Sequence, residues 1–190
     1  MSIVLHGVAA GKGIAIGHAH LITRGTTEVP QYDIDPDKLD AEVARFDNAI
    51  KATRKELEQL RGAIPENAPT ELGAFISLHL MLLTDVTLSR EPIDILREQK
   101  INAEWALKQQ SDKLAAQFDS IDDDYLRERK QDMLQVVRRI HNNLVGQSNE
   151  INLAGNLFDD TVLIAHDLSP ADTVLFKEQH ITAFVTDAGG

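Results

Sequence analysis

The chain has 190 residues and carries 30 acidic against 19 basic side chains, a formal net charge of −11. Nucleic acid and anionic lipid are therefore poor partners, because both repel an acidic surface. The absence of cysteine excludes disulfides, thiolate metal sites and a cysteine nucleophile. No apolar run reaches membrane-spanning length and no secretory signal pattern opens the chain, so we expect a cytoplasmic protein without a membrane segment.

The first 24 residues are rich in glycine and in β-branched side chains. Two apolar runs, Ile3–Leu5 and Ile14–Ile22, flank a glycine-rich bend and predict short strands. The bend does not fit a nucleotide-binding P-loop. Three residues rather than four separate Gly7 from Gly11, and Gly13 follows Lys12 where the motif needs Ser or Thr. We therefore expect a tight turn here and no nucleotide site.

Residues 33–146 have a helical pattern. A first helix is expected to start at Pro36, with Asp35 as its cap, and to end at Gly62 and Pro65. Its apolar stripe recurs at helical spacing: Leu39, Val43, Phe46, Ile50, Leu57 and Leu60.

Further helices follow in the same segment. The next begins near Thr70, and Pro92 marks a break or a new start. Asn102 can cap a helix over residues 103–118, and Asp122 or Asp123 one that Gly146 closes. Long helices joined by short loops predict a four-helix bundle-like subdomain.

From residue 147 onward the pattern returns to mixed α/β. Thr161–Ala165 and Ile181–Thr186 are expected to be strands, with a helix capped by Ser169 between them. Strand, helix, strand is the parallel-sheet unit. We therefore predict an α/β subdomain built from residues 1–32 and 147–190 and interrupted by the helical subdomain. A glycine pair directly after a strand usually leads into a functional turn, so we expect the α/β subdomain to be incomplete at Gly190.

The segment Phe75–Leu83 (FISLHLMLL) is apolar around most of its circumference. Such a helix is either fully enclosed or leaves one face for a partner. The sequence alone supports both readings equally.

Two features of the sequence suggest a metal site, but only weakly. His18 and His20 could share one face of a strand, but a third ligand is lacking nearby. The acidic run Asp122–Asp124 is explained by its place at a helix N-terminus, which favours carboxylates. We predict no metal site in this chain.

Four motifs give the chain a resemblance to enzyme I, the phosphoenolpyruvate-protein phosphotransferase of the bacterial sugar phosphotransferase system. They are GVAAGKGIAIGHA at residues 7–19, HLMLLTD at 79–85, DDDYLRER at 122–129 and VTDAGG at 185–190. The family opening has Ser-Pro-Gly where this chain has Gly11-Lys12-Gly13. The order and spacing of the motifs across the whole chain make the resemblance specific.

The resemblance implies a phosphohistidine-type α/β subdomain with a helical insertion that docks the histidine-containing phosphocarrier protein. An acidic rim would suit a carrier with a basic active-site surface. The carried-over partner-binding residues are Glu71, His79, Met81, Leu82, Leu88, Phe118, Leu126 and Arg129. On this reading the Leu-rich helix packs one face in the bundle and docks with the other.

The resemblance also places the active histidine beyond Gly190, so no catalytic residue is expected here and the fragment should be inactive. Thr173, Gly189 and Gly190 are expected to support that histidine. Phosphoenolpyruvate, magnesium and dimerisation belong in the family to the missing C-terminal part, so the fragment itself is compatible with a monomer.

Three alternatives stay open at this point. A non-enzymatic helical adaptor would use the same apolar face. A phosphohistidine domain of a pyruvate phosphate dikinase relative would lack the helical insertion. The nitrogen-related enzyme I would carry an additional domain ahead of this region.

Overall fold

The computed structural model divides the chain into two compact units. One comprises Met1–Thr26 and Ile151–Gly190, and the other Thr27–Glu150. These boundaries lie a few residues from those expected after residues 32 and 146. The structure describes residues 4, 6–22, 29–66, 68–120, 123–147, 160–166, 168, 176 and 181–187, with the backbone alone for 124–128.

In its described part the second unit forms six helices. They are α1 (Leu39–Gly62), α2 (Thr70–Leu82), α3 (Val86–Ser89), α4 (Glu91–Gln99), α5 (Ala103–Asp119) and α6 (Asp124–Leu144). The expected apolar stripe of α1 is partly realised, since Phe46, Leu57 and Leu60 are buried. α1 packs against α2, α4, α5 and α6 and so forms the centre of the unit.

The helix ends lie at or near the expected positions but differ in chemistry. A 3-10 turn over Pro36–Lys38 precedes α1, which therefore starts three residues later than expected. Asn102 precedes α5 as expected, but its side chain makes no cap hydrogen bond to that helix. Its Oδ1 instead accepts from the Tyr32 N–H at 3.1 Å, and its Nδ2 donates to the Pro30 carbonyl at 3.0 Å. Asp35 likewise caps nothing, because its carboxylate pairs with Lys38 at 2.7 Å. After α6, Gly146 takes a φ of 68°, the left-handed turn that favours glycine at a helix end.

An ionic cluster of two buried glutamates and a half-buried arginine joins α1 to α5. The Arg45 guanidinium donates to both carboxylate oxygens of Glu42 at 2.6 and 3.0 Å. It also donates to both oxygens of Glu104 at 2.6 and 2.7 Å. Bidentate pairs of this kind are directional as well as strong. Burial by itself raises the pKa of Glu104, but the hydrogen bonds from Arg45, the backbone and Asn102 outweigh it and lower the pKa to about 2.

The same cluster holds both chain ends of the helical unit. Arg45 donates to the Leu144 carbonyl at the end of α6 at 3.0 Å. Glu42 accepts from the Ala103 N–H at 2.7 Å, which satisfies a donor at the start of α5. Glu104 accepts from Asn102, whose other contacts hold the segment that enters the unit. One arginine thus organises the first, the fifth and the last helix.

The described part of the α/β unit is a three-stranded parallel sheet in the order β1-β2-β3. Its strands are β1 (His18–Ile22), β2 (Thr161–Ala165) and β3 (Ile181–Thr186). The bounds of β2 and β3 are those predicted, as is their parallel pairing. Leu163 is fully buried, and Phe176 packs its ring 5.7 Å from that of Phe184. An α/β unit interrupted by a helical one confirms the predicted fold class.

The N-terminal prediction needs a correction. The strand expected over Ile14–Ile22 begins only at His18, and Ile14 and Ile16 are exposed. Gly17 explains where pairing starts, because a Cβ at this position would meet the Asp160 carbonyl oxygen at 2.1 Å. That carbonyl accepts the His18 N–H at 2.8 Å. Of the earlier run Ile3–Leu5, Ile3 and Leu5 lie outside the described residues, as does all but Phe176 of the helix expected after Ser169.

Replacing Glu104 by Gln should lower the free energy of unfolding of the helical unit by about 2 kcal/mol, since the half-buried Arg45 would lose one of its two charged partners. Urea unfolding followed by circular dichroism measures this. Asp40→Asn is the matched control, because it removes an exposed ion pair with Arg97 and should cost less than about 1 kcal/mol. Equal losses in the two variants would contradict a dominant role for the cluster.

Replacing Gly17 by Ala should disrupt the start of the β1–β2 pairing, because the added methyl group collides with backbone. We expect amide hydrogen exchange in β1 to accelerate by about tenfold or more, as overpacking costs roughly 1–3 kcal/mol. Gly7→Ala serves as the control, since its Cβ would meet no described atom within 4 Å. Unchanged protection of β1 in Gly17→Ala would show that this close approach is not required.

Candidate functional site

Helix α2 has one side in the core and one side in solvent. Ile76, His79 and, directly after the helix, Leu83 are fully buried, and the helix packs against α1 and α6. On the other side Glu71, Ala74, Ser77 and Met81 are exposed. The apolar character noted in the sequence therefore serves the core on one face only.

The exposed side carries an apolar face that continues into α3. Met81 and Val86 are each 62% exposed. Leu78 and Leu82 are half-buried, and Ala74 lies one turn before Leu78. We call Ala74, Leu78, Met81, Leu82 and Val86 the docking face. Exposed side chains of this size forgo roughly 1.5–3 kcal/mol each relative to burial, and grouped apolar residues of this kind mark interaction surfaces.

The turn between α2 and α3 is fixed by its own side chains. The Thr84 hydroxyl donates to the Met81 carbonyl at 2.7 Å. Asp85 caps α3 by accepting from the Thr87 N–H at 2.9 Å and from the Thr87 hydroxyl at 2.8 Å. Met81 and Val86 are therefore held by local hydrogen bonds on either side of the turn.

Of the predicted partner-binding residues, Glu71 and Met81 are exposed, and Leu82, Phe118 and Arg129 are half-buried. The predicted surface position of His79 and Leu88 needs a correction. They are 0% and 1% exposed, because both point into the packed interior, and they therefore lie off the surface. The side chain of Leu126 and the supporting residues Thr173, Gly189 and Gly190 lie outside the described part of the structure.

His79 is a buried, uncharged group behind the docking face. Its ring centroid lies 4.1 Å from that of Phe75. Its Nε2 is 3.9 Å from Asp132 Oδ1, too far for a hydrogen bond, and neither ring nitrogen has a hydrogen-bond partner among the described residues. Burial, with the positive charge of Arg139 adding to it, lowers the pKa of His79 to about 4. The imidazole is therefore neutral at pH 7.

Asp132 lies beside the buried histidine but makes no hydrogen bond to it. Its other carboxylate oxygen accepts from Arg129 Nη1 at 3.3 Å, and Arg129 is partly exposed on α6. Of the two predicted residues, Arg129 is therefore bonded to this carboxylate and His79 is not.

Three members of the docking face were missed from sequence: Ala74, Leu78 and Val86. The signal was present, since Ala74, Leu78 and Met81 follow Glu71 in steps of 3, 4 and 3, one face of a helix. Asp85, two residues before Thr87, also fits a helix start.

Among the described residues no group of three or more His, Asp or Glu side chains is placed to hold a metal ion. His18 is exposed and His20 half-buried on β1. In the same part of the chain no single helix is long and apolar enough to cross a membrane. One bent pair, Thr70–Leu82 with Val86–Gln99 at 60°, meets the length and composition criteria together.

The fold and the surface define a class: a helical unit with an exposed apolar face, inserted into a parallel-sheet unit. Residues 6–129 match the family described as PEP-utilising enzyme, N-terminal. The chain therefore belongs to this family, and the resemblance to enzyme I found in the sequence is confirmed.

Individual relatives agree with this assignment. The chain is 43% identical to the phosphoenolpyruvate-protein phosphotransferase of Cupriavidus necator and 33% identical to that of Bacillus subtilis. The alignments cover 100% and 98% of this chain and 34% and 32% of those proteins. The chain thus spans about a third of the length of the curated relatives it matches.

Solved structures show the same fold. The NMR solution structure of Enzyme I (nEIt) is 32% identical with a TM-score of 0.76, and the match covers 97% of this chain and 73% of that one. The N-terminal domain of Enzyme 1 – Nitrogen is 24% identical with a TM-score of 0.65, covering 94% and 71%, and supports the fold alone. The adaptor and dikinase alternatives are not favoured by these relatives.

The lowered pKa of His79 predicts a pH dependence of stability. A histidine with a folded-state pKa of about 4 and an unfolded one near 6.5 stabilises the fold fully above pH 6.5. This contribution, up to about 3 kcal/mol, is lost as the pH falls from 6.5 to 4. His79→Leu should therefore flatten the loss of unfolding free energy over that range, measured by urea unfolding at several pH values. His6→Leu, at an exposed position, should leave it unchanged. A His79→Leu variant with the original pH dependence would contradict this assignment.

Proposed function

We propose that this chain is the N-terminal, carrier-docking part of a phosphoenolpyruvate-protein phosphotransferase. The observation that carries the proposal is the docking face, since α2 and α3 leave large apolar side chains in solvent on a helical unit typical of this family. The partner is the histidine-containing phosphocarrier protein. Glu71, Phe118, Leu126 and Arg129 complete the contact surface.

The charge of the chain supports a basic partner. Net charge is −11, and the exposed carboxylates Glu71 and Asp85 flank the apolar residues on α2 and at the start of α3. Complementary charge around an apolar centre raises the association rate and fixes orientation, while the apolar residues supply most of the affinity. A carrier with a basic surface around its own active histidine fits both features.

The chemistry of the whole enzyme is nucleophilic phosphoryl transfer. A neutral imidazole nitrogen attacks the phosphorus of phosphoenolpyruvate, a nitrogen–phosphorus bond forms as the ester oxygen–phosphorus bond breaks, and the enolate of pyruvate leaves. A histidine of the docked carrier then takes the phosphoryl group. The proposal places the active histidine beyond Gly190, so this chain retains docking and lacks transfer. Thr173 and the glycine pair would orient that imidazole.

The remaining properties belong to the whole protein. Magnesium and phosphoenolpyruvate are assigned to the C-terminal part of the enzyme, as is homodimerisation, and no step here depends on a metal held by this chain. The 190-residue chain is proposed to be monomeric, with residues 1–32 and 147–190 forming the α/β subdomain and 33–146 the docking subdomain. The site of action is the cytoplasm.

Met81→Asp should weaken binding of a purified histidine-containing phosphocarrier protein by roughly thirtyfold, since a charge replaces an apolar group worth about 2 kcal/mol on burial. Calorimetric titration measures the dissociation constants. Val145→Asp is the matched control, because Val145 is also an exposed apolar residue but follows α6 rather than lying on α2 or α3.

Equal affinity of Met81→Asp and the unmodified chain would refute docking at this face. A comparable loss in Val145→Asp would do the same, because it would show a general effect of added negative charge.

A further inference from the structure

An exposed histidine–aspartate pair lies at one edge of the parallel sheet. His166 directly follows β2 and Asp187 directly follows β3, and the last residues of these strands, Ala165 and Thr186, are register partners. Parallel neighbours in register bring the next two residues together. His166 Nδ1 lies 2.6 Å from Asp187 Oδ1. Nothing in the docking proposal uses this pair.

The fold does not depend on the pair. The side chains of His166 and Asp187 are 79% and 74% exposed, and ion pairs in solvent contribute about 0–1 kcal/mol at most. Their position, in contrast, is where open parallel sheets bind ligands, beyond the carboxyl ends of the strands. A polar pair held at that edge is therefore better explained by a ligand than by stability.

The geometry leaves one ring nitrogen available. An ionised Asp187 accepts from the Nδ1–H of His166, which fixes the orientation of the ring and leaves Nε2 without a role in the pair. In the protonated imidazole, Nε2–H is a donor of charge-assisted hydrogen bonds, which are strongest toward anionic oxygens.

We propose that the His166–Asp187 pair binds a phosphoryl oxyanion, with Nε2–H of His166 donating to a phosphoryl oxygen and Asp187 holding the ring in place. The choice of ligand rests on the proposed function, since the phosphoryl-carrying histidine would follow Asp187 closely along the chain. The pair would position the phosphoryl group and would not form a bond to phosphorus.

A cation is the competing ligand, because metal-bound histidines are often oriented by a carboxylate in the same way. A lasting cation site needs several ligands, whereas the described residues offer no group of three or more His, Asp or Glu at this edge. A single oriented N–H is sufficient to contribute to oxyanion binding, so we commit to the anion.

The test is a titration of the histidine-¹⁵N-labelled chain with inorganic phosphate at constant ionic strength. It is run at a pH where the ring ¹⁵N shifts themselves show His166 to be protonated. We expect a saturable shift of His166 Nε2, and little change at His141 in the helical unit. Asp187→Asn should raise the apparent dissociation constant by about fivefold, because a neutral acceptor replaces a charged one. His6 is an exposed histidine in the same α/β unit as His166, and His6→Ala should leave the dissociation constant unchanged.

Three results would overturn the proposal: no saturable shift with phosphate, an equal shift with chloride, or a shift with Mg²⁺ or Zn²⁺ instead. Amide resonances of β2 report that the sheet is intact in each variant. Carrier docking is measured separately, by calorimetric titration of the whole chain with the phosphocarrier protein. A failed phosphate titration beside intact carrier binding would remove this proposal alone, and the reverse would remove the docking proposal alone.

Discussion

The helical unit depends on one arginine. Arg45 is held by Glu42 on its own helix and by Glu104 on α5, and it binds the carbonyl at the end of α6. A half-buried guanidinium without these partners would destabilise the fold, so the cluster favours one arrangement of the helices over others. Through Asn102 the arrangement extends to the segment around Pro30 that enters the unit. The entering chain and the last helix are therefore fixed at the same cluster.

Because the core is fixed in this way, α2 packs one side against it and exposes the other side to solvent. Its inner side is filled by Ile76 and the neutral His79, and its outer side presents Met81 to solvent. The burial of His79 also corrects the inference from the family, because this histidine lies in the core and is not exposed at the surface.

The sequence predicted regular structure well where a local rule decides it. The β2 and β3 strands follow from apolar runs, and the helix end at Gly146 follows from its glycine. The sequence-based prediction failed where a contact is made between residues that are far apart in the sequence. Asn102 was expected to cap α5, but it binds a segment 70 residues earlier, and no local pattern predicts that Arg45 pairs with a glutamate 59 residues away. On α2, the sequence did not separate inner from outer residues, because the packing of α2 against α1 and α6 decides which side is buried.

We propose that the face formed by α2 and the start of α3 docks the phosphocarrier protein. A methyl NMR footprint of the unlabelled carrier on the methyl-labelled 190-residue chain tests this directly. We expect saturable shift changes at Ala74, Leu78, Met81 and Val86, and none at Val145 or at Leu21 on β1. Changes centred on Val145 or Leu21, or no changes while the α2 resonances show a folded helix, would contradict it.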